Sequence, residues 1–457
     1  MCAAVPPGNP SRAGRSGTPP SGFNRRPTAA LDALEHRSAV EEAELEHESP
    51  VSHRVGWGLV ALYALAYMGT WLMLLSPVLV TLALKVKSLV GTQDGPGALG
   101  LVAGVGALLA MLSTPIFGKL SDRTTSRLGM RRPWMIMGLI GGAVGLLIVV
   151  LARSIPVVLL GWCIAQLALN ALLVAQVAVL LDHMPASQRG TVSGVLGACL
   201  PIALIVGSFV VQLAAPNQAA MFLLPVAVGG VFVVLFAVVL KDRRLVPAHK
   251  PPWSGRELAR TFYVNPRRQP DFAWAWGSRF LFILAFSFLT TYQAFYLLDT
   301  LGSAEADVPQ QVFLATLVFS ALTVVSSVVG GRLSDATGRR KVFVLIAAVV
   351  YGIALFFVAA AGQFDGFLIG MAIAGVGFGV YAAVGLALVA DVLPDPNNAA
   401  KDLGVFNIAS AMPQSVAPAI APAILAIGGG SYSVLFAVAG GVAVLSALAI
   451  LPVRRVR

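Results

Sequence analysis

Two short stretches of the chain share one pattern. Gly118-Lys119-Leu120-Ser121-Asp122 and Gly331-Arg332-Leu333-Ser334-Asp335 carry Gly, Leu, Ser and Asp at identical spacing. A basic cluster follows each: Gly129-Met130-Arg131-Arg132 after the first and Gly338-Arg339-Arg340-Lys341 after the second. The chemistry open to such a set is electrostatic. A carboxylate beside guanidinium groups forms short, charge-assisted hydrogen bonds, and an Asp can cap a helical turn. Gly118 and Gly331 would let a neighbouring helix approach closely. Asp122, Arg123, Gly129, Arg131 and Arg132, with Asp335, Gly338, Arg339 and Arg340, therefore read as a latch, held in one conformation and broken in another.

The same register continues beyond the loops, with Asp182-x-x-Pro185 in one half and Asp391-x-x-Pro394 in the other. Titratable groups in a solute pathway are the usual means of proton coupling. No carboxylate lies at the middle of any apolar run. Either one of the edge residues Asp182, Asp391, Asp271 and Asp299 is reached by water, with the repeated Asp182 and Asp391 the candidates taken forward, or the protein is a uniporter. Arg279 is the sharpest single residue. A central Arg costs roughly 2.5–3.5 kcal/mol in a membrane helix. It can bind an anionic group or relay charge, or it can snorkel to the surface or pair with Asp271. Polar and aromatic residues at helical spacing complete the set: Tyr63, Tyr67 and Trp71; Gln166 and Asn170; Tyr292, Gln293 and Tyr296; Tyr381; Asn407, Ser410 and Gln414. Aromatic faces with amide and hydroxyl partners suit a sugar, which offers hydroxyls and an apolar ring face. Tyr67, Trp71, Gln166, Asn170, Arg279, Gln293, Tyr381, Asn407 and Gln414 are the expected substrate contacts.

The elements that must position these groups follow from composition. Of 457 residues, 57% are hydrophobic and only 12% charged, against about 25% charged in soluble domains. The apolar residues fall into runs of about 20, the length that crosses a hydrocarbon core of about 30 Å. Open sheets cannot satisfy their edges in lipid, and the period-2 alternation of barrel strands is absent. The expectation is an all-α membrane protein with twelve transmembrane helices in two pseudo-symmetric six-helix lobes. The lobes are expected at 55–240 and 272–457, joined by a linker over 241–271, after a disordered tail over 1–54 rich in Pro, Gly, Ser and Arg. Helix 11, with Pro413, Pro418 and Pro422, is expected to be kinked.

The loops orient the chain. Basic residues crowd the 2–3, 6–7 and 8–9 loops and the C-terminal end, so both termini are expected in the cytoplasm, with the protein multi-pass in the inner or plasma membrane. The net charge of +11 is thereby topological, and nucleic-acid binding is not expected. Five His and three Cys residues form no catalytic or metal-ligating spacing, and no phosphate loop is present. Neither an enzyme nor a cofactor is expected. The partners would be a small-molecule solute, the lipid bilayer and protons, with the monomer as the working unit.

The Gly-x-x-x-Asp-x-x-Gly-Arg-Arg loop and its repeat resemble the signature of the major facilitator superfamily over everything after about residue 55. The first copy holds four additional residues between Asp122 and Gly129. Its run from Ser121 through Gly129-Met130-Arg131-Arg132-Pro133-Trp134 resembles the sucrose transporters and the glycoside–pentoside–hexuronide cation symporters. That resemblance implies a sugar or glycoside carrier working by alternating access, with Asp182 at the position tied to proton coupling. The paired carboxylates that the melibiose branch carries on helix 2 are missing between Ala98 and Phe117, so sodium coupling of that kind is not implied. Export of drug-like or other organic solutes is the alternative, as is a non-transporting receptor or lipid-moving protein on the same scaffold.

Overall fold

A computed structural model describes residues 55–243, 269–392 and 399–453. The chain divides into a unit over Met1–Ser52 and a unit over His53–Arg457. The expected disordered tail, most of the 241–271 linker and the C-terminal arginines lie outside the described residues. Twelve α-helices lie among the described residues of the second unit. The first lobe holds α1 (Trp57–Ser76), α2 (Leu82–Asp122), α3 (Arg132–Leu151), α4 (Ile155–His183), α5 (Ala186–Ala214) and α6 (Gln218–Val239). The second holds α7 (Pro270–Phe295), α8 (Val308–Thr337), α9 (Arg340–Ala360), α10 (Phe364–Val392), α11 (Ala399–Ile427) and α12 (Tyr432–Ala449).

Eleven continuous helical stretches among the described residues are long and apolar enough to span a membrane. The first, Trp57–Asp122, has 66 residues, about 100 Å of helix, where one crossing needs about 30 Å. It breaks at Gly91, which adopts φ 77° and ψ −172°, a conformation open to glycine at little cost. Two crossings therefore share this stretch, and the described residues hold twelve. The sequence suggests a loop over 81–97. Instead a π-helical turn over Pro77–Thr81 carries α1 into α2, and helix resumes directly after Gly91.

The packing repeats between lobes. In the first, α1 packs on α5 and α6, α4 on α2 and α3, and α3 on α6; in the second, α7 packs on α11 and α12, α10 on α8 and α9, and α9 on α12. Small residues allow the closest approaches: a Cβ on Gly69 of α1 would stand 2.8 Å from the Gly229 backbone of α6, the close-packing role of glycine in membrane bundles. The outer helices leave apolar stripes uncovered, among them Ile136, Ile140, Val144, Leu147 and Leu151 on α3 and Val342, Ile346, Ile353 and Phe357 on α9. Such stripes are tolerated where the surrounding solvent is lipid.

Two seams join the lobes, α2 against α11 and α5 against α8. The duplication interchanges them, since α2 corresponds to α8 and α5 to α11. At the first, a Cβ on Gly104 would come within 3.2 Å of the Ser415 carbonyl oxygen, and one on Gly100 would press on the Pro418 carbonyl. At the second, Phe209 and Phe313 meet with ring centroids 5.3 Å apart. Lys87 and Glu305 form an ion pair between the lobes at 3.3 Å. All of these lie at the end of the bundle opposite the Gly-x-Leu-Ser-Asp loops.

Candidate functional site

Arg131 is the centre of the cluster at the first Gly-x-Leu-Ser-Asp loop. It is 4% exposed, and its Nε and Nη2 reach Asp182 and Asp122, each at 2.7 Å. Its Nη1 donates to Ser121 Oγ at 2.8 Å. One guanidinium thus ties the end of α2, the start of α3 and the end of α4 through three charge-assisted or polar bonds. Burial opposes its charge, but the hydrogen bonds and charges of Asp182, then of Asp122, outweigh that and raise its pKa above the ordinary arginine value. The sequence reading assigned Asp182 to proton coupling; the structure places it inside this cluster.

A further carboxylate completes the cluster. Asp242, just beyond α6, accepts the backbone N–H groups of Arg131 at 2.6 Å and Arg132 at 2.8 Å through Oδ2. These are unpaired donors at the start of α3, where the helix end favours an anion. Gly129 stands at φ 109°, and a Cβ there would run into the Asp242 side chain. Met130 N–H donates to the Arg243 carbonyl at 3.0 Å, and Arg132 Nη2 donates to the Val238 carbonyl at 2.5 Å. Sequence reasoning missed Asp242, having counted only the basic residues after helix 6. The available signal was an acid directly after the apolar run, set among Lys241, Arg243 and Arg244.

The second copy is looser. Arg340 approaches Asp335 at 3.8 Å, and the Asp335 side chain is 72% exposed. Lys341 takes the place of Arg132: its Nζ donates to the carbonyls of Leu451 at 2.5 Å and Val453 at 2.8 Å, at the end of α12. Gly338 adopts φ 64° as the C-cap of α8, and Arg339 precedes α9 as its N-cap. The side chain of Asp391 lies outside the described residues. Gly118 meets only Val174, and Gly331 only Ala383, each a neighbour within its own lobe.

The expected substrate contacts separate into groups. Arg279 on α7 donates from Nε to Ser410 Oγ on α11 at 3.0 Å and lies 5.7 Å from the ring centroid of Tyr381 on α10. Tyr381 stacks in turn on Phe282. Asn407 and Gln414 are exposed on α11. At 100° per residue they fall within about 40° of Pro418, the residue that touches the first lobe, so their stripe faces that lobe. On the other side, Tyr67 meets Trp71 edge to face at 6.2 Å, and Asn170 Nδ2 donates to the Gln166 carbonyl at 2.8 Å. Gln293 is set apart at the closed end. It is buried and lines a cavity of about 20 Å³ with Leu79, Leu204, Thr290, Thr316 and Met371, room for about one water.

Tyr63 is a packing residue: it stacks on Phe236 at 5.0 Å and its hydroxyl donates to the Gln176 carbonyl at 2.6 Å. Tyr296 donates to the Val358 and Ala361 carbonyls at the end of α9. Helix α11 runs unbroken from Ala399 to Ile427 through all three prolines. Among the described residues no group of three or more His, Cys, Asp or Glu could hold a metal ion.

Two six-helix lobes related by duplication, meeting along α2–α11 and α5–α8, define the class of membrane transporters built on two parallel repeats around a central pathway. The sequence places the chain within it: residues 59–321 and 305–457 match the Major Facilitator Superfamily, and the chain belongs to that family. Solved structures agree on the fold. A mutant of the nucleoside transporter NupG superposes with a TM-score of 0.70 at 14% identity, covering 86% of this chain and 99% of its own. The human organic anion transporter MFSD10 gives 0.60 at 16% identity, covering 86% and 98%. A bacterial homologue of the human lysosomal transporter Spinster, inward-facing and unoccupied, gives 0.59 at 15% identity, covering 87% and 97%. No curated protein sequence matches the chain.

Proposed function

We propose that this protein carries a small organic solute across the membrane by alternating access, with a sugar or glycoside as the leading substrate class. The observation that carries the mechanism is on α2. Gly100 and Gly104 press against α11, whereas Gly118, on the same face about five turns and 27 Å further along, meets only its own lobe. One continuous helix face is thus closed at one end and free at the other. Rocking the lobes about the middle of the two seams would close the latch end and open the opposite one. The positive-inside bias assigns the latch end to the cytoplasm, so this conformation is read as open inward, in an inner or plasma membrane and as a monomer.

Support for a sugar comes from residue chemistry: the aromatic pair Tyr67–Trp71 and the amides Gln166 and Asn170 in one lobe, the amides Asn407 and Gln414 and the Tyr381 ring in the other. Proton coupling would require Asp182 to leave Arg131 during the cycle, and Asp182→Asn in a proton-uptake assay tests it. Alternation is tested with single cysteines at Thr114 and Lys87 in a chain lacking Cys2, Cys163 and Cys199. Saturating substrate should protect one position and expose the other; accessibility that never changes reciprocally would remove the transport reading. A thermal-shift screen against mono- and disaccharides tests the substrate class, since a bound ligand stabilises the state it fits. Shifts with cationic drugs alone would reverse the ranking in favour of export of drug-like solutes.

A further inference from the structure

Arg279 is the one Lys or Arg placed well inside an apolar span; the others sit in loops, at span ends or in the tail. Its partners among the described residues are neutral. Nε donates to the Ser410 hydroxyl, and the guanidinium carbon lies beside the Tyr381 ring. Among the described residues no carboxylate pairs with it, and its two Nη nitrogens have no hydrogen-bond acceptor. A guanidinium held in a membrane protein without an acid is costly unless something else supplies the negative charge. Arg131, the more buried of the two, is treated differently: it is given two carboxylates and a hydroxyl.

The position suits a ligand. Arg279 is half-buried, and it reaches Ser410, on the α11 stripe that carries the exposed Asn407 and Gln414 and faces the first lobe. Gly385 lies beside Nη1: an added Cβ would sit 3.7 Å from Nη1 and 3.7 Å from Tyr381. The absent side chain leaves space next to the free edge of the guanidinium. With Nε engaged, the two Nη groups present the parallel donors that a carboxylate accepts. A single cation matches a single negative charge; a phosphate dianion would leave one charge unpaired.

We infer that Arg279 binds the carboxylate of the transported solute, so that the substrate is an organic monocarboxylate whose body lies against Tyr381, Asn407 and Gln414. This rests on the transport reading and narrows its substrate class. The body can be polyhydroxylated, suiting the amides, or aromatic, suiting the Tyr381–Phe282 stack, and the probes separate the two.

The test is binding to the purified full chain, by thermal shift and calorimetry, of D-glucuronate against D-glucose and of benzoate against benzyl alcohol, with D-glucose 6-phosphate as the dianion. One carboxylate should bind at least tenfold more tightly than its neutral counterpart. Arg279→Gln should erase that difference, and Arg279→Lys should restore part of it. If Arg279→Gln does not accumulate as folded protein, Gly385→Leu keeps the charge but fills the space and should weaken the carboxylate about tenfold. Equal affinity for the neutral partner, tightest binding of the phosphate, no carboxylate binding, or unchanged carboxylate affinity in Arg279→Gln would overturn the inference. The reciprocal labelling at Thr114 and Lys87 is scored in the same preparations. Alternation without carboxylate selectivity sinks this inference and spares transport; carboxylate binding without alternation does the reverse.

Discussion

The Tyr292 hydroxyl donates to the Pro418 carbonyl across 3.2 Å, and Pro418 has that oxygen to spare because Pro422, four residues on, has no N–H to offer it. The same hydroxyl lies 3.3 Å from the Pro96 carbonyl of the first lobe. One side chain therefore links α7, α11 and α2 at the closed end. Tyr292→Phe would keep the ring packing and leave a buried carbonyl unsatisfied, at a cost of about 1–3 kcal/mol. Because the lost contact exists only while this end is shut, the expected result is a shift toward the state open at this end. The measurement is faster modification of a cysteine at Lys87, with slower modification at Thr114. Unchanged rates at both would show that the hydroxyl does not hold the seam.

The Arg131 cluster separates two carboxylates by exposure. Asp182 is 23% exposed at its side chain and Asp122 is 52% exposed. Neutralising the carboxylate that partners a buried guanidinium weakens a charged hydrogen bond worth roughly 1.5–3 kcal/mol, while an exposed pair is screened and contributes about 0–1 kcal/mol. Asp182→Asn should therefore lower the melting temperature clearly more than Asp122→Asn. Equal losses would mean that the two acids are not graded by solvent. The transport phenotype should rank in the opposite order if α2 exchanges partners as proposed, since Asp122 sits on that helix.

Much of this was legible in the residues, and what was not has physical causes. The duplicated loops and the twelve crossings rest on local pattern, and the fold follows it. The 66-residue continuous stretch did not declare itself, because the polar, Gly- and Pro-rich run from Gly91 to Gly97 reads as a loop, whereas the helix breaks there at the Gly91 dihedrals alone. The prolines of α11 were read as a kink. Their consequence is a carbonyl freed for Tyr292, and only the fold brings that tyrosine to it. Gln293 and Tyr381 share the aromatic and amide chemistry expected of a sugar site, yet Gln293 falls at the closed end beside Leu79 and Leu204. Residue type names a chemistry; the register of two helices from different lobes decides whether a ligand can reach it.

Asp242 gives a separate prediction. It accepts two backbone N–H groups at the start of α3, the role of an N-cap supplied from another helix. Asp242→Ala should cost about 0.5–2 kcal/mol, the range of lost caps. Gly129→Ala should be worse, because it combines a positive φ with a collision against Asp242. In the double variant the collision is relieved and the strain is not, so the two losses should be less than additive. Melting temperatures of the four proteins decide this; full additivity would mean that Gly129 and Asp242 do not meet.

The last prediction uses the two ends of α2 against each other. Gly100 and Gly118 lie 18 residues apart, which returns to the same helix face after five turns. In this conformation Gly100 is pressed on Pro418, and a larger side chain there has no room. Gly118 has a nearest neighbour 3.8 Å from an added Cβ, so a side chain fits. Gly100→Leu should therefore favour the state in which the Gly100 end is open, giving high labelling at Lys87 and low labelling at Thr114. Gly118→Leu should do the opposite, because closing the latch end brings Gly118 toward α11 as Gly100 is now. Both should slow transport, since each removes one of the two states that a cycle must visit. If both substitutions moved the labelling in the same direction, the face would not exchange partners between its ends, and the rocking motion would have to be placed on other helices.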